Sequence, residues 1–300
     1  ISARSVLVWS SSGAHAMSLE GKTAVITGGA SGIGFATAEE FLKGGVSKIL
    51  ILDLGEHLRA DQESQLKSCN PGASIYYSKC DVSNKSNVEK AFRQDAVKWL
   101  GTIDILVNSA GILNESDPAG CVAVNLTGLI ECTLTAMDLM SKDKGGKGGF
   151  VVNISSIAGL EPMPFGVTYS ATKFGVVGFT RSMGQELIFS KTGVKLMAIC
   201  PGATETTIYQ NSRNSCLTFP WMLEYYDQLI QAFKTQKFVD LFDLLKQLLK
   251  KCIVNSRPEA VGKAVVKIIT EGNNGAVWVS SEDKIVPVSY GTNSFLAGME

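Results

Sequence analysis

Tyr169 and Lys173 stand at i and i+4 in the run Tyr169-Ser170-Ala171-Thr172-Lys173. The pattern around them predicts a helix, so the two side chains share one face. A phenol in water titrates at about pH 10, too high for a base at neutral pH. A neighbouring ammonium favours the phenolate and lowers that value. Such a pair can take the proton of an alcohol whose carbon is being oxidised, while Lys173 also binds a cofactor ribose. A Tyr–Lys pair at this spacing is by itself mostly structural, and its meaning comes from its surroundings.

The segment Thr27-Gly28-Gly29-Ala30-Ser31-Gly32-Ile33-Gly34 follows the first apolar run. Glycines let the backbone turn sharply and approach a pyrophosphate, and a helix starting near Ile33 aims its first amides at that charge. A glycine cluster alone is often a plain turn. This one sits between a predicted strand and a predicted helix, the context a dinucleotide site needs. Asp53 ends the second predicted strand. Alone it reads as a solvated carboxylate. Beside the glycine loop it can accept hydrogen bonds from both adenosine ribose hydroxyls, and it would repel a 2′-phosphate. Leu54 follows it and Ser31 sits in the loop, so neither place offers a cation to that phosphate. The pattern favours NAD over NADP.

Short apolar runs predict strands at 23–26, 48–52, 74–78, 104–107, 149–154, 195–199 and 276–279. Amphipathic stretches predict helices at 33–43, 86–100, 120–140, 167–188 and 258–270. Several strand runs are apolar without alternation, as expected of strands buried on both faces. Strands separated by helices imply right-handed βαβ crossovers. The expected fold is α/β: a single-domain, Rossmann-like, doubly wound parallel sheet of about seven strands with helices on both faces. Residues 1–16 are Ser-rich and acid-free, and read as a leader or appended tail before a domain at 17–300. Residues 207–253 are expected to cover the substrate. They are rich in Phe219, Trp221, Tyr225, Tyr226 and leucines. A lipophilic pocket and ordinary helix packing both account for that stretch.

Lys plus Arg and Asp plus Glu are 28 each. With no basic excess, neither a nucleic acid nor an anionic membrane is an expected partner. No apolar run reaches the ~18 residues a spanning helix needs. Seven cysteines are spread without a CxxC pair, which argues against a disulfide framework or a zinc site, predicts no metal, and suits a reducing, cytoplasmic setting. The two histidines are His15 and His57. That scarcity excludes a Ser-His-Asp hydrolase and a His-ligated zinc alcohol dehydrogenase.

Over about residues 18–280 the chain resembles a short-chain dehydrogenase/reductase of the compact, single-domain branch. The resemblance rests on TGGASGIG at 27–34, Asp53, CDV at 80–82, NSAG at 108–111, VN at 124–125, NISS at 153–156, YSATK at 169–173 and PGATET at 201–206. Ser109 stands where the family usually has asparagine. The resemblance implies that Asp81 and Val82 flank the adenine, and that Asn108, Ser109, Ala110 and Gly111 line the cofactor. It implies that Ser156 hydrogen-bonds the substrate oxygen and steadies its developing charge, and that Asn125 holds a water against Lys173 in a proton relay. Pro201, Gly202, Thr204 and Thr206 would grip the nicotinamide carboxamide. Ser155 is expected to be structural. A homodimer or homotetramer is implied, paired through helices 120–140 and 167–188.

Within that family the chain is most similar to insect-type alcohol dehydrogenases and NAD-dependent 15-hydroxyprostaglandin dehydrogenases. The shared features are the short stretch before Asn125 and the late run from Asn274 to Trp278. Prostaglandin dehydrogenases tend to carry Gln where this chain has Gly166. The expected function is hydride exchange between NAD and an apolar secondary or allylic alcohol (or its carbonyl), with Tyr169 as acid/base. The alternatives are a 15-hydroxyprostaglandin-type dehydrogenase and a non-catalytic NAD-binding sensor or carrier.

Overall fold

The computed structural model describes residues 18–210, 256–281 and 284–290. The predicted leader and nearly all of the predicted cover, including its aromatic residues, lie outside them. Eight strands form one sheet: β1 (Thr23–Thr27), β2 (Lys48–Asp53), β3 (Ser74–Lys79), β4 (Ile105–Asn108), β5 (Gly149–Ile154), β6 (Val194–Pro201), β7 (Val277–Ser281) and β8 (Lys284–Pro287). Their order is β3-β2-β1-β4-β5-β6-β7-β8. All neighbours are parallel except β7 and β8. The sheet thus has one strand more than the predicted seven. β8 is four residues, largely exposed to solvent, and ends in Pro287, so no apolar run announces it.

Burial on both faces explains the unalternating runs. Ile49 and Ile51 of β2 join one core with Phe41 of α1 (Gly32–Lys43). Leu50 and Leu52, pointing the opposite way, join a second core with Phe92. Phe92 belongs to α3, which runs Lys85–Lys90, a π-helical Ala91–Ala96 and Val97–Leu100. Phe41 and Phe92 are fully buried, each contributing roughly 1.5–3 kcal/mol. Helix α2 (Ala60–Cys69) was not predicted; only Gln62 and Leu66 are buried, too few to set a period. Helix α4 spans Pro118–Met140 and is long and apolar enough to cross a membrane by length and composition. Its Cys132, Ala136 and Met140 are buried under the sheet, so it serves as a core helix.

The predicted helix 167–188 is two helices, α5 (Val167–Met183) and α6 (Glu186–Thr192). Gly184 breaks it where a Cβ would lie 2.4 Å from Gly275 Cα. Helix α7 (Pro258–Glu271) packs on α1, with Gly262 lying close to the Ala36 carbonyl. β1 lies between β2 and β4, so the winding reverses there. In such sheets the crevice at the carboxyl ends of the strands is where ligands bind.

Candidate active site

A cavity of about 350 Å³ opens at that crevice. On the β2–β3 side its wall holds Asp53, Leu54, Asp81 and Val82; under the first helix it holds Gly28, Ser31, Gly32 and Ile33. After β4 come Ser109, Ala110 and Gly111, and on the β5–β6 side Ser156, Tyr169, Lys173, Pro201, Gly202, Thr204 and Thr206. Gly28 has φ 62°, and a Cβ there would sit 2.8 Å from Ala110 Cα. The loops after β1 and β4 therefore meet backbone to backbone, which any other residue would prevent. Ser31 provides no side-chain cap to α1, and the first turn has no acidic residue. The orphan amides and positive end of α1 are thus available to an anion.

The carboxylate of Asp53 is held from two sides. One oxygen accepts the Ala30 N–H at 2.9 Å, the other the Leu54 N–H at 2.8 Å. Gln62 donates to the Ala30 carbonyl and so braces the same residue from its other peptide. Each carboxylate oxygen has lone-pair capacity beyond one amide.

At the other end Tyr169 and Lys173 come from successive turns of α5. The Lys173 ammonium lies 5.4 Å from the Tyr169 ring centroid and donates to the Ile154 carbonyl at 3.0 Å. Ser156 stands beside the phenol of Tyr169 in the cavity wall, and its Oγ accepts the Ala158 N–H at 3.1 Å. Ser155 Oγ donates to the Lys173 carbonyl at 2.9 Å, the structural part expected of it. Burial pushes the Tyr169 phenol up to about 12, against the pull of the neighbouring Ser156 hydroxyl. Tyr169 keeps part of its surface open to the cavity, but protein surrounds the phenol closely. Burial also pulls Lys173 down to about 8. The phenol is therefore raised, where the spacing predicted a lowering by the ammonium, because desolvation penalises both charged forms.

Three expected lining residues face elsewhere. Asn108 donates to Thr133 Oγ1 and Asn153 Oδ1, both at 2.9 Å, tying β4 to α4 and β5. Thr27 Oγ1 accepts the Ser109 and Ala110 N–H groups at 3.1 and 3.2 Å, shaping the wall from behind. Gly34 has room for no Cβ, which would fall 2.2 Å from the Gly28 carbonyl oxygen. Asn125 is buried on a π-helical turn of α4, Ala123–Gly128. It accepts the Ile112 N–H at 2.8 Å and donates to the Ile112 carbonyl at 2.7 Å and to Thr172 Oγ1 at 3.3 Å. The Gly111 backbone passes between the Asn125 oxygen and the Lys173 ammonium; a Cβ there would be 3.4 and 3.7 Å from them.

The sequence reading missed Glu115, buried and bonded to the first amides of α5. It also missed the apolar lining from Ile112, Leu113, Ile157, Met163, Phe165 and Ile208. Gly166 has φ 90°, so its backbone, rather than space beside Tyr169, accounts for glycine there. A phenol and a hydroxyl side by side at an apolar wall can share a proton with an alcohol or carbonyl oxygen.

The family model described as short chain dehydrogenase matches residues 22–216. The chain is 33% identical to "Alcohol dehydrogenase 1" of Ceratitis cosyra over 272 residues, 91% of this chain and 96% of that one. It is 34% identical to "15-hydroxyprostaglandin dehydrogenase [NAD(+)]" of Rattus norvegicus over 265 residues, 87% of this chain and 91% of that one. Among solved structures, levodione reductase shares the fold with a TM-score of 0.67 at 24% identity, covering 87% of this chain and 96% of that chain. A glycine loop, a strand-end carboxylate and a buried Tyr–Lys pair around one crevice agree with these matches: the chain belongs to the short-chain dehydrogenase family, oxidoreductases that use nicotinamide cofactors.

Proposed function

We propose that the protein is an NAD-dependent dehydrogenase of apolar secondary or allylic alcohols, with Tyr169 as acid/base. The observation that carries this reading is Ser156, Tyr169 and Lys173 together on one wall of a cavity whose opposite wall holds Asp53. The residues fit a dinucleotide. The uncapped start of α1 and the Cβ-free approach of Gly28 to Ala110 would take the pyrophosphate, and Asp53 the adenosine ribose. Pro201, Gly202, Thr204 and Thr206 would hold the nicotinamide end, and Lys173 its ribose. When bound, the nicotinamide ring accepts a hydride from the alcohol carbon or returns it.

As the phenolate, Tyr169 takes the alcohol proton (as the phenol it gives one to a carbonyl oxygen), and Ser156 steadies that oxygen as its charge changes. The Lys173 ammonium offsets the negative charge of the phenolate. Asn125 acts through Ile112 and Gly111 on the wall beside Lys173. Exposed Leu134 on α4 and Phe174 on α5 support pairing of these helices in a homodimer or homotetramer.

NAD should bind at least about tenfold more tightly than NADP, or ~1.4 kcal/mol. Asp53 would face the 2′-phosphate, and the nearby Arg59 is paired with Asp61 at 3.2 Å. Calorimetry with both cofactors tests this; equal or tighter NADP binding would refute it.

The apolar wall of Leu113, Ile157, Met163 and Phe165 supports the substrate class. Each methylene it buries adds roughly 0.8 kcal/mol of binding. The decisive measurement is kcat/KM across ethanol, secondary alcohols, farnesol, retinol, steroids and prostaglandin E-type alcohols. Values should climb with apolar bulk. A flat series would remove the lipophilic pocket, and no turnover at all would favour a sensor or carrier. The rat relative supports a prostaglandin-type substrate as the second reading, which a clear preference in the series would establish.

A further inference from the structure

Helix α5 starts without a local cap. Gly166, in the left-handed region at φ 90° and ψ 54°, offers no side-chain acceptor, and the first turn has no acidic residue. Its first amides still need partners. They find one in Glu115, on the loop between β4 and α4. One carboxylate oxygen accepts the Thr168 N–H at 3.0 Å, the other the Tyr169 N–H at 2.9 Å. These are the second and third amides of α5, the ones a local Ser or Asp cap would serve. Glu115 is 5% exposed, so the pairing is shielded from water. A carboxylate also suits the positive end of the helix.

The same loop is fixed at both flanks. Asn125 grips Ile112 through its N–H and its carbonyl, and Asp117 accepts the Gly120 N–H at 3.0 Å to cap α4. Ile112 and Leu113 line the cavity. Glu115 therefore joins the apolar wall to the residue that carries the phenol, through that residue's own amide.

We propose that Glu115 is a positioning residue for Tyr169: its buried carboxylate caps α5 from a distant loop and sets the phenol against Ser156 and the substrate wall. This rests on the acid/base reading of Tyr169 above. Misplacing a reacting group by about 1 Å costs on the order of a hundredfold in rate. Gln at 115 keeps one acceptor and turns an N–H₂ toward the second amide; Ala removes both acceptors.

The test compares Glu115→Gln, Glu115→Ala, Tyr169→Phe and the Glu115→Gln/Tyr169→Phe double variant. For each, kcat and KM are measured with the best alcohol of the series, NADH affinity by fluorescence, and folding by thermal melting. Glu115→Gln should lose on the order of tenfold and Glu115→Ala roughly a hundredfold in kcat. NADH affinity should stay within about twofold, since Asp53 and the start of α1 lie on other elements and Lys173, a turn beyond Tyr169, is held by the Ile154 carbonyl. In the Tyr169→Phe background Glu115→Gln should change the residual rate by less than about twofold, because the group it positions is gone. A folded Glu115→Gln with wild-type kcat, beside an inactive Tyr169→Phe, would overturn the proposal alone. So would an equal kcat loss in both backgrounds. Turnover surviving in Tyr169→Phe would remove the acid/base assignment and the proposal with it. Should Glu115→Ala fail to fold, the near-isosteric Gln variant decides the matter.

Discussion

Tyr169→Phe is expected to lower turnover on the order of a thousandfold while NADH affinity stays within about twofold. The substitution removes one oxygen and leaves the ring against the Lys173 ammonium. That oxygen is the proton carrier beside Ser156, so its loss leaves the serine hydroxyl alone to face the substrate oxygen. With the phenol pushed up to about 12, the oxygen carries its proton across the neutral range. It is therefore ready to donate to a carbonyl oxygen, and needs the Lys173 charge most when it must accept a proton from an alcohol. Absorbance of NADH reports turnover, and its fluorescence reports binding. Residual activity above a tenth of wild type would mean that another group moves the proton.

Lys173→Met should stop turnover and weaken NADH binding, and it should also remove a pH dependence of stability. Lys173 is buried, and its value in the folded protein falls from 10.5 to about 8. Below about pH 8 the folded and unfolded chains both carry the proton, and the folded state bears the full cost of burying the charge, about 3 kcal/mol. Between 8 and 10.5 the unfolded chain binds the proton and the folded one does not, so stability rises with pH. From pH 8 to 10 the wild type should gain about 2 kcal/mol relative to the Met variant. The Ile154 carbonyl, left without its 3.0 Å donor, shifts the variant by an amount that does not change with pH. Above about pH 10 the raised Tyr169 phenol works in the opposite sense, because the unfolded chain then loses a proton the folded one keeps. Urea unfolding at pH 7, 8, 9 and 10 measures the difference. A constant gap between the proteins would show that the ammonium is solvated when the chain folds.

Periodicity revealed the sheet because its strands are buried on both faces, and the glycine loop because it joins a strand to a helix. Parity along β4 also held information that motif reading passed over. Ile105 and Val107 share one core, while Leu106 enters the other beneath α4. Asn108 has the parity of Leu106 and follows it toward α4, away from the crevice. Glu115 left no local signal: its partners are in α5, and no helical or strand period joins a loop to a distant helix. Helix α2 was hidden because it buries two side chains, and β8 because it is short and ends in proline. Desolvation of the Tyr–Lys pair was invisible because spacing on a helix face does not say how much protein covers that face.

The π-helical turn Ala123–Gly128 bears on insertion and deletion. An i→i+5 closure holds one residue more than an α-turn. Removing one residue there would let α4 run as a regular helix, with its backbone fully bonded and its buried Cys132 and Met140 end still able to pack. What such a shortened helix would lose is the angle at which Asn125 meets Ile112, since one residue is about 100° of helix rotation. Gly128 would also leave its place against the Val82 carbonyl, where a Cβ would fall at 2.6 Å. The more regular helix is thus one deletion away and would disturb both the adenine side and the proton-transfer side of the crevice. Gaps in this stretch among relatives should therefore mark chains that keep the fold and have given up the chemistry.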